Sequence, residues 1–141
     1  MRADEMHAAI TRAGEALSDR ARLEEYLDFY SDDIVFHGHG PRPVASKEAV
    51  RALYAEVLAA FPDLRVTVLD SIAEEAGSRL AVRYRVWATH AGQFRGVAAT
   101  QRPVEYEGVM FLRFDEYACV ERWTLNDRLT LMTQIGAVST A

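Results

Sequence analysis

The order of hydrophobic and polar residues predicts that the first half of the chain is mainly helical. Apolar residues recur at three- and four-residue spacings in residues 6–17 and 23–30, which is the period of an amphipathic helix. Ser46 precedes a third such segment, which ends at Pro62, and a serine in that place favours a helix N-cap. Between the second and third helices lie a short apolar segment, residues 34–37, and a loop rich in glycine and proline.

From residue 64 onward the hydrophobic period changes to two, which is typical of β-strands. Alternating apolar residues mark four consecutive strands, at residues 66–68, 80–86, 104–114 and 120–127. Consecutive strands favour one largely antiparallel, strongly twisted sheet. We therefore predict a single α+β domain over residues 1–141, in which three helices cover one face of a curved sheet and enclose a pocket.

Charge and cysteine content narrow the classes of partner and compartment. The chain has a net charge of −5 and no run of Lys or Arg that would neutralise nucleic-acid phosphates. Its single cysteine, Cys119, excludes an internal disulfide and a cysteine-based metal site. The acidic N-terminus is unlike a signal peptide, and no apolar run reaches membrane-spanning length. We expect a cytoplasmic protein that binds neither nucleic acid nor membrane.

Asp127 is the first candidate for chemistry. Alternation along the last strand places it on one face with Trp123 and Leu125. If that face lines the pocket, desolvation raises the pKa of the carboxyl group toward the range useful for proton transfer. The alternative is a structural acid that caps the helix starting near Arg128 or pairs with Arg122 or Arg128. The pattern alone favours the structural role.

The histidines offer further candidates. His90 ends the apolar face of the strand that starts at residue 80, so it either donates a hydrogen bond to an enolate oxygen in the pocket or lies at the rim, satisfied by backbone. His37 and His39 are two residues apart, a spacing that suits one strand face. A metal needs a third ligand, and no carboxylate stands at a convincing spacing. We therefore expect no metal and favour hydrogen bonding near the cavity by one of the pair.

Large side chains on the predicted elements are candidates for a wall that binds a flat or linear substrate, although most aromatic residues at such spacings belong to the core. These candidates are Tyr26, Phe29, Tyr30, Phe61, Tyr84, Met110 and Trp123. The opposite face of the strand that starts at residue 80 carries a mixed set that faces either solvent or a second copy of the chain. That set consists of Arg83, Arg85, Trp87 and Thr89.

Five segments in order along the chain carry a family resemblance. They are F-H-G-H-G (36–40), A-F-P-D-L-R-V (60–66), T-H-A-G-Q-F-R-G (89–96), R-P-V-E-Y-E-G (102–108), and the terminal R-W-T-L-N-D with Q-I-G. In these segments the chain resembles the SnoaL-like polyketide cyclases of the NTF2-like superfamily. The resemblance implies a cone-shaped α+β fold, a small polyketide-like substrate, no cofactor and a homodimer.

The resemblance also implies roles for individual residues. Family members carry Trp-x-x-x-Asp, a helical turn and Gln-Leu-Gly, which this chain keeps as Trp123, Asp127 and the segment 134–136. In the characterised cyclases the matching aspartate is the acid/base of an intramolecular aldol closure, which implies that role for Asp127. His37 matches a family position better than His39 does. The segment 96–101 departs from the family's Gly-x-Pro-Pro-Thr-Gly, and this departure bears on substrate identity.

The favoured function is therefore a cofactor-independent cyclase of secondary metabolism. Its expected catalytic residues are Asp127 and His90, and its expected substrate-binding residues are His37, Tyr30, Phe61, Tyr84, Met110 and Trp123. An isomerase or an epoxide hydrolase on the same fold is an alternative, the latter with Arg113 and Glu107 as weak partners. A protein that binds a hydrophobic small molecule without turnover is another, because fold alone does not decide function.

Overall fold

The computed structural model describes residues 1–139, which form four α-helices and one five-stranded sheet. In chain order these elements are α1 (Ala3–Leu17), a 3₁₀ turn (Arg20–Arg22), α2 (Leu23–Leu27), β1 (Tyr30–His37), α3 (Lys47–Ala60), β2 (Arg65–Glu74), β3 (Arg79–Thr89), β4 (Pro103–Phe114), β5 (Cys119–Asn126) and α4 (Arg128–Gln134). The predicted α+β class is confirmed. No helix in the described part of the chain is long and apolar enough to span a membrane.

Strand β1 is where the structure departs from the sequence prediction. The pattern predicts a helix over residues 23–30, but α2 ends at Leu27 and Tyr30 already belongs to β1. β1 pairs in parallel with β5, so the sheet is mixed, with the order β1-β5-β4-β3-β2. The other neighbouring strands are antiparallel. Parallel partners are distant in sequence and share no tight turn, so the alternation pattern carries no signal for this pairing.

Helices α1 and α3 cover one face of the sheet. The N-cap of α3 is the predicted one, since Ser46 Oγ accepts a hydrogen bond from the backbone N–H of Ala49 at 3.0 Å. In α1, Met6, Ile10 and Leu17 are buried, as expected for an amphipathic helix that packs against a sheet.

The two faces of the sheet differ sharply. The inner face carries buried residues such as Leu80, Val82 and Val86 of β3 and Val104 and Leu112 of β4. The opposite face exposes two apolar cross-strand pairs between β4 and β5, which we call the outer patch. The outer patch consists of Val109 paired with Leu125 and Phe111 paired with Trp123.

Candidate functional site

A cavity of about 820 Å³ lies between the inner face of the sheet and the helices. This volume is within the range of small-molecule sites, roughly 300–1,000 Å³. Apolar side chains at α1 and near the start of β2 form one region of the lining, called the apolar half, which includes Ile10, Leu17, Leu64, Val66 and Val68. A second region, called the polar half, carries hydroxyl, amide and cationic groups, including Tyr26, Tyr30, Tyr54, Tyr84, Tyr106, Arg122 and Asn126. The loop at residues 93–96 also lines the cavity.

A buried arginine surrounded by tyrosines lies in the polar half. Arg122 is only 5% exposed, and its Nη1 donates to the hydroxyls of Tyr26, Tyr30 and Tyr54 at 3.1, 2.6 and 3.1 Å. Its Nε donates to Thr124 Oγ1 at 2.7 Å. Desolvation raises the pKa of Tyr26 and of Tyr30, so these phenols are neutral at physiological pH.

A second polar pair lies beside this cluster. The Tyr84 hydroxyl donates a hydrogen bond to Asn126 Oδ1, and burial raises the pKa of Tyr84 to about 12. Tyr106 lines the same cavity from the neighbouring strand, and burial raises its pKa as well. Within residues 1–139 the Tyr106 hydroxyl has no hydrogen-bond partner, so this neutral donor is available to a ligand.

His39 is the imidazole that lines the cavity. Its Nε2 is buried and has no hydrogen-bond partner within the described residues. Burial first, and then the charges of Arg122, Arg128 and Arg95, together lower the pKa of His39 to about 4. The side chain is therefore neutral at physiological pH, and the same low pKa makes its unprotonated ring nitrogen a weaker base than an ordinary imidazole.

The loop that carries His39 is fixed to the end of β5. Gly38 has a φ of +100°, and a Cβ at this position would lie 3.1 Å from the backbone carbon of Thr124. Glycine is therefore required both for the left-handed backbone and for the close approach. Arg128 Nη2 donates to the Gly38 carbonyl at 3.2 Å, so the β5–α4 junction positions this loop.

Asp127 does not lie in the cavity, and the expectation of a raised pKa is wrong. The residue is exposed and caps α4, with Oδ1 accepting from the Thr130 N–H at 3.1 Å and Oδ2 from the Thr130 hydroxyl at 2.6 Å. The hydrogen bond from the Thr130 hydroxyl has the largest effect on the pKa of Asp127, and the one from the Thr130 backbone N–H comes second. Together they hold this pKa below its ordinary value. The structural alternative is confirmed, and the catalytic role stays a prediction that the position does not support.

Trp123 and His37 also lie outside the cavity. Trp123 shares a face with Leu125, as predicted, but that face is the outer one, where Trp123 is 40% exposed. His37 stacks on Trp123 with ring centroids 5.2 Å apart, and its Nε2 lies 2.8 Å from Glu121 Oε2. Alternation orders the side chains by face but does not say which face is inside.

His90 is buried, but it is not among the residues that line the cavity. Its Nδ1 accepts from the Thr100 N–H at 3.3 Å and lies 2.9 Å from the Thr100 hydroxyl. The ring therefore connects the β3–β4 loop to the end of β3, and its Nε2 is buried and has no partner among residues 1–139. Its catalytic role stays a prediction.

Four predicted substrate-binding residues do line the cavity. They are Tyr30, Phe61, Tyr84 and Met110. Tyr26 lines it too, whereas Phe29 packs edge-on against Tyr30 and Phe114. Their contact with a substrate stays a prediction.

The residues suggested for epoxide hydrolysis are wrongly placed for it. Glu107 pairs with Arg83 at 3.1 Å and Arg113 pairs with Glu121 at 3.1 Å. These ion pairs lie on the outer face, outside the cavity lining. No cluster of three or more metal-ligating side chains is present in residues 1–139.

Arg122, Tyr54 and Tyr106 line the cavity but were not predicted as site residues from the sequence. His37 was predicted near the cavity in preference to His39. One signal was available, because Arg122, Thr124 and Asn126 alternate on β5 with the exposed Trp123 and Leu125. A polar set on the buried face of a strand indicates a lined cavity rather than a packed core.

The comparisons with known proteins bear on the family and the fold. The model of the SnoaL-like polyketide cyclase family matches residues 8–135. AclR from Streptomyces galilaeus, a proposed hydroxylase, is 32% identical, with a TM-score of 0.86 over 98% of this chain and 100% of its own. IdmH from Streptomyces antibioticus, a proposed polyketide cyclase, is 28% identical, with a TM-score of 0.74 over 92% and 97%.

A proposed SnoaL-like polyketide cyclase from Jannaschia is 23% identical, with a TM-score of 0.77 over 96% of this chain and 92% of its own. At that identity the likeness concerns the fold alone. No curated protein matches the chain significantly.

Proposed function

Because the chain belongs to the SnoaL-like polyketide cyclase family, we propose that it closes a ring in a polyketide-like carbonyl substrate by a cofactor-independent intramolecular aldol reaction. The observation that carries the proposal is the unpartnered Nε2 of His39 at a cavity that also presents neutral phenols and a buried guanidinium. A base beside oxyanion donors is what enolate chemistry requires.

In the proposed reaction, neutral His39 removes a proton from a methylene between two carbonyl groups, which leaves an enolate and an imidazolium. The enolate carbon attacks a second carbonyl carbon of the same molecule, so that the ring bond forms and an alkoxide results. The imidazolium returns its proton to the alkoxide. Substrate and product are then isomers, and nothing else is consumed.

The walls of the cavity contribute positioning and charge stabilisation. The free hydroxyl of Tyr106 is a suitable donor to the enolate oxygen, because its raised pKa keeps it protonated. The apolar half, formed by residues such as Ile10 and Val68, can hold the remainder of the carbon chain in the folded conformation that ring closure needs. Exclusion of water there strengthens each polar contact at the other end.

The test compares two variants on a linear poly-β-carbonyl substrate, with product analysed by chromatography and mass spectrometry. His39→Gln should lower kcat by about 10²- to 10⁴-fold, the usual contribution of a general base. Asp127→Asn serves as the matched comparison and should retain near-normal kcat, because its carboxylate caps a helix. Loss of turnover in Asp127→Asn with full turnover in His39→Gln would return the catalytic role to Asp127.

A hydroxylase is the second candidate, favoured by the 32% identity with AclR over nearly all of both chains. Hydroxylation adds an oxygen atom from outside the substrate, whereas aldol closure gives an isomer. Turnover under ¹⁸O₂ separates the two, because only a product of oxygen insertion carries the label. Tight binding of substrate with no turnover under any condition would instead favour the binding protein.

A homodimer completes the proposal, formed when two copies bring their outer patches together. The four apolar side chains are exposed by between 40% and 73% and lie beside ion pairs such as Arg113 with Glu121. An apolar centre with a charged rim is the usual anatomy of a protein interface. A two-fold axis would place the same patch on both sides.

A further inference from the structure

Arg122 carries a charge that no carboxylate in the described part of the chain neutralises. The ion pairs of residues 1–139 within 4.0 Å do not include it. The groups that accept its hydrogen bonds are the hydroxyls of Tyr26, Tyr30, Tyr54 and Thr124. A buried cation without a counter-ion is costly, and natural proteins rarely keep one without a use.

The neighbourhood cannot supply the missing negative charge by deprotonation. The tyrosines that receive the Arg122 hydrogen bonds include Tyr26 and Tyr30, whose pKa values are raised by burial. The phenyl ring of Phe36 lies 4.5 Å from the guanidinium carbon, which contributes a cation–π contact but no charge. The guanidinium therefore remains a net positive centre at the cavity wall.

The remainder of the cavity has the same sign. Arg95 and Arg128 also line it, and Glu56 is the carboxylate that does so among the described residues. This lining is positive in a chain whose net charge is −5. A cavity with fixed charge of one sign and low-dielectric walls concentrates ligands of the opposite sign.

We propose that the Arg122–tyrosine cluster is a receptor for a carboxylate on the ligand, and that the cavity selects amphipathic acids. The carboxylate lies against the guanidinium, which is the cation best suited to planar oxyanions. The hydrocarbon or ring system extends toward the apolar half at Leu17, Leu64 and Val66. The inference deepens the proposed function by giving its substrate an acidic end group, and it rests on that function only through the shared cavity.

The test uses a pair of probes that differ in charge and little in shape. Isothermal titration calorimetry of the full chain with 2-naphthoate and with 2-naphthamide, at pH 7 and low salt, measures the preference for the anion directly. We expect naphthoate to bind at least tenfold more tightly than the amide. Equal affinity, or no binding of either probe at millimolar concentration, overturns the proposal.

Two variants locate the preference. Arg122→Met replaces the guanidinium with an apolar side chain of similar length and should bring the naphthoate-to-naphthamide ratio close to one. The matched control is Arg83→Met, on the outer face in an exposed ion pair with Glu107, which should keep the wild-type ratio. Tyr54→Phe removes one hydroxyl that accepts a hydrogen bond from Arg122 Nη1 and should lower the naphthoate-to-naphthamide ratio. This variant keeps the proposal testable if Arg122→Met does not fold.

The binding test and the turnover test fail independently. A strong preference for naphthoate that disappears in Arg122→Met, in a chain that closes no ring, supports the carboxylate receptor and refutes the cyclase. Ring closure with no anion preference supports the cyclase and refutes the carboxylate receptor. An anion preference that Arg122→Met leaves unchanged overturns the assignment to Arg122.

Discussion

Gly108 lies directly opposite Tyr84 in the pairing of β3 with β4, and a Cβ on it would come within 2.6 Å of the Tyr84 hydroxyl oxygen and ring carbon. The same Cβ would collide with the side-chain oxygen of Asn126. The bare backbone at this position therefore makes room for the hydrogen bond between Tyr84 and Asn126.

Gly108→Ala should displace this pair and destabilise the fold by about 1–3 kcal/mol, the usual cost of overpacking. The matched control is Gly14→Ala in α1, where a Cβ would meet its nearest side-chain atom, Val68 Cγ2, at an ordinary 3.6 Å. Alanine there should be neutral or stabilising by about 0.5–1 kcal/mol. Urea denaturation of both variants checks the difference, and equal stabilities would contradict it.

Asp127→Ala should lower the midpoint of thermal unfolding, because Oδ1 and Oδ2 hold the first turn of α4 through Thr130. Since the folded pKa of Asp127 is lowered, this stabilisation is present above the unfolded pKa of about 3.9 and is lost as the pH falls through the folded pKa. Calorimetry at neutral and acidic pH should show the wild type and the variant converging in acid. A pH-independent difference would argue against a charged cap.

His39 should make the protein less stable as the pH falls from about 6.5 to about 4. In this window His39 is protonated in the unfolded chain, where its pKa is about 6.5, but stays neutral in the folded chain, where its pKa is about 4. Burial and the charges of Arg122, Arg128 and Arg95 cause the lower pKa of the folded state. The contribution is fully present above pH 6.5 and lost below pH 4.

The check compares unfolding midpoints of the wild type and His39→Gln across this range. The variant should lack this part of the acid destabilisation, and NMR of the imidazole should report the low pKa directly. A parallel pH dependence in both proteins would show that His39 does not titrate as described.

The outer patch should hold two copies together. Trp123→Asp or Phe111→Asp places a carboxylate in the centre of the patch, where association of two copies would bury it among apolar side chains. Light scattering after size-exclusion chromatography should show the wild type at twice the mass of either variant. Tyr117→Asp is the matched control, because Tyr117 is 85% exposed in a turn away from the patch. A monomeric wild type would rule the dimer out.

The local elements could be predicted from sequence because their signals are local. Ser46 caps α3 as expected, and Trp123 and Leu125 share one face of β5 as expected. The sequence did not show which face of β5 points toward the interior. On β5 the apolar Trp123 is outside and the cationic Arg122 inside, which reverses the usual rule.

That reversal follows from what the inner face of β5 contacts. It faces a cavity and three tyrosines rather than a packed core, and polar residues therefore suit this face. His39 was hard to find for a different reason. Its loop is placed by Gly38 against Thr124 and by Arg128, contacts between segments far apart in the chain.

The parallel pairing of β1 with β5 also sets when the site can exist during folding. Tyr30 and Arg122, joined by a hydrogen bond, are 92 positions apart in the chain, and β5 follows β1 to β4 in the chain. Contacts of such separation form late, because loop closure must precede them. The cavity therefore closes only once the whole sheet is assembled, and a ligand held there should slow global unfolding rather than protect one segment.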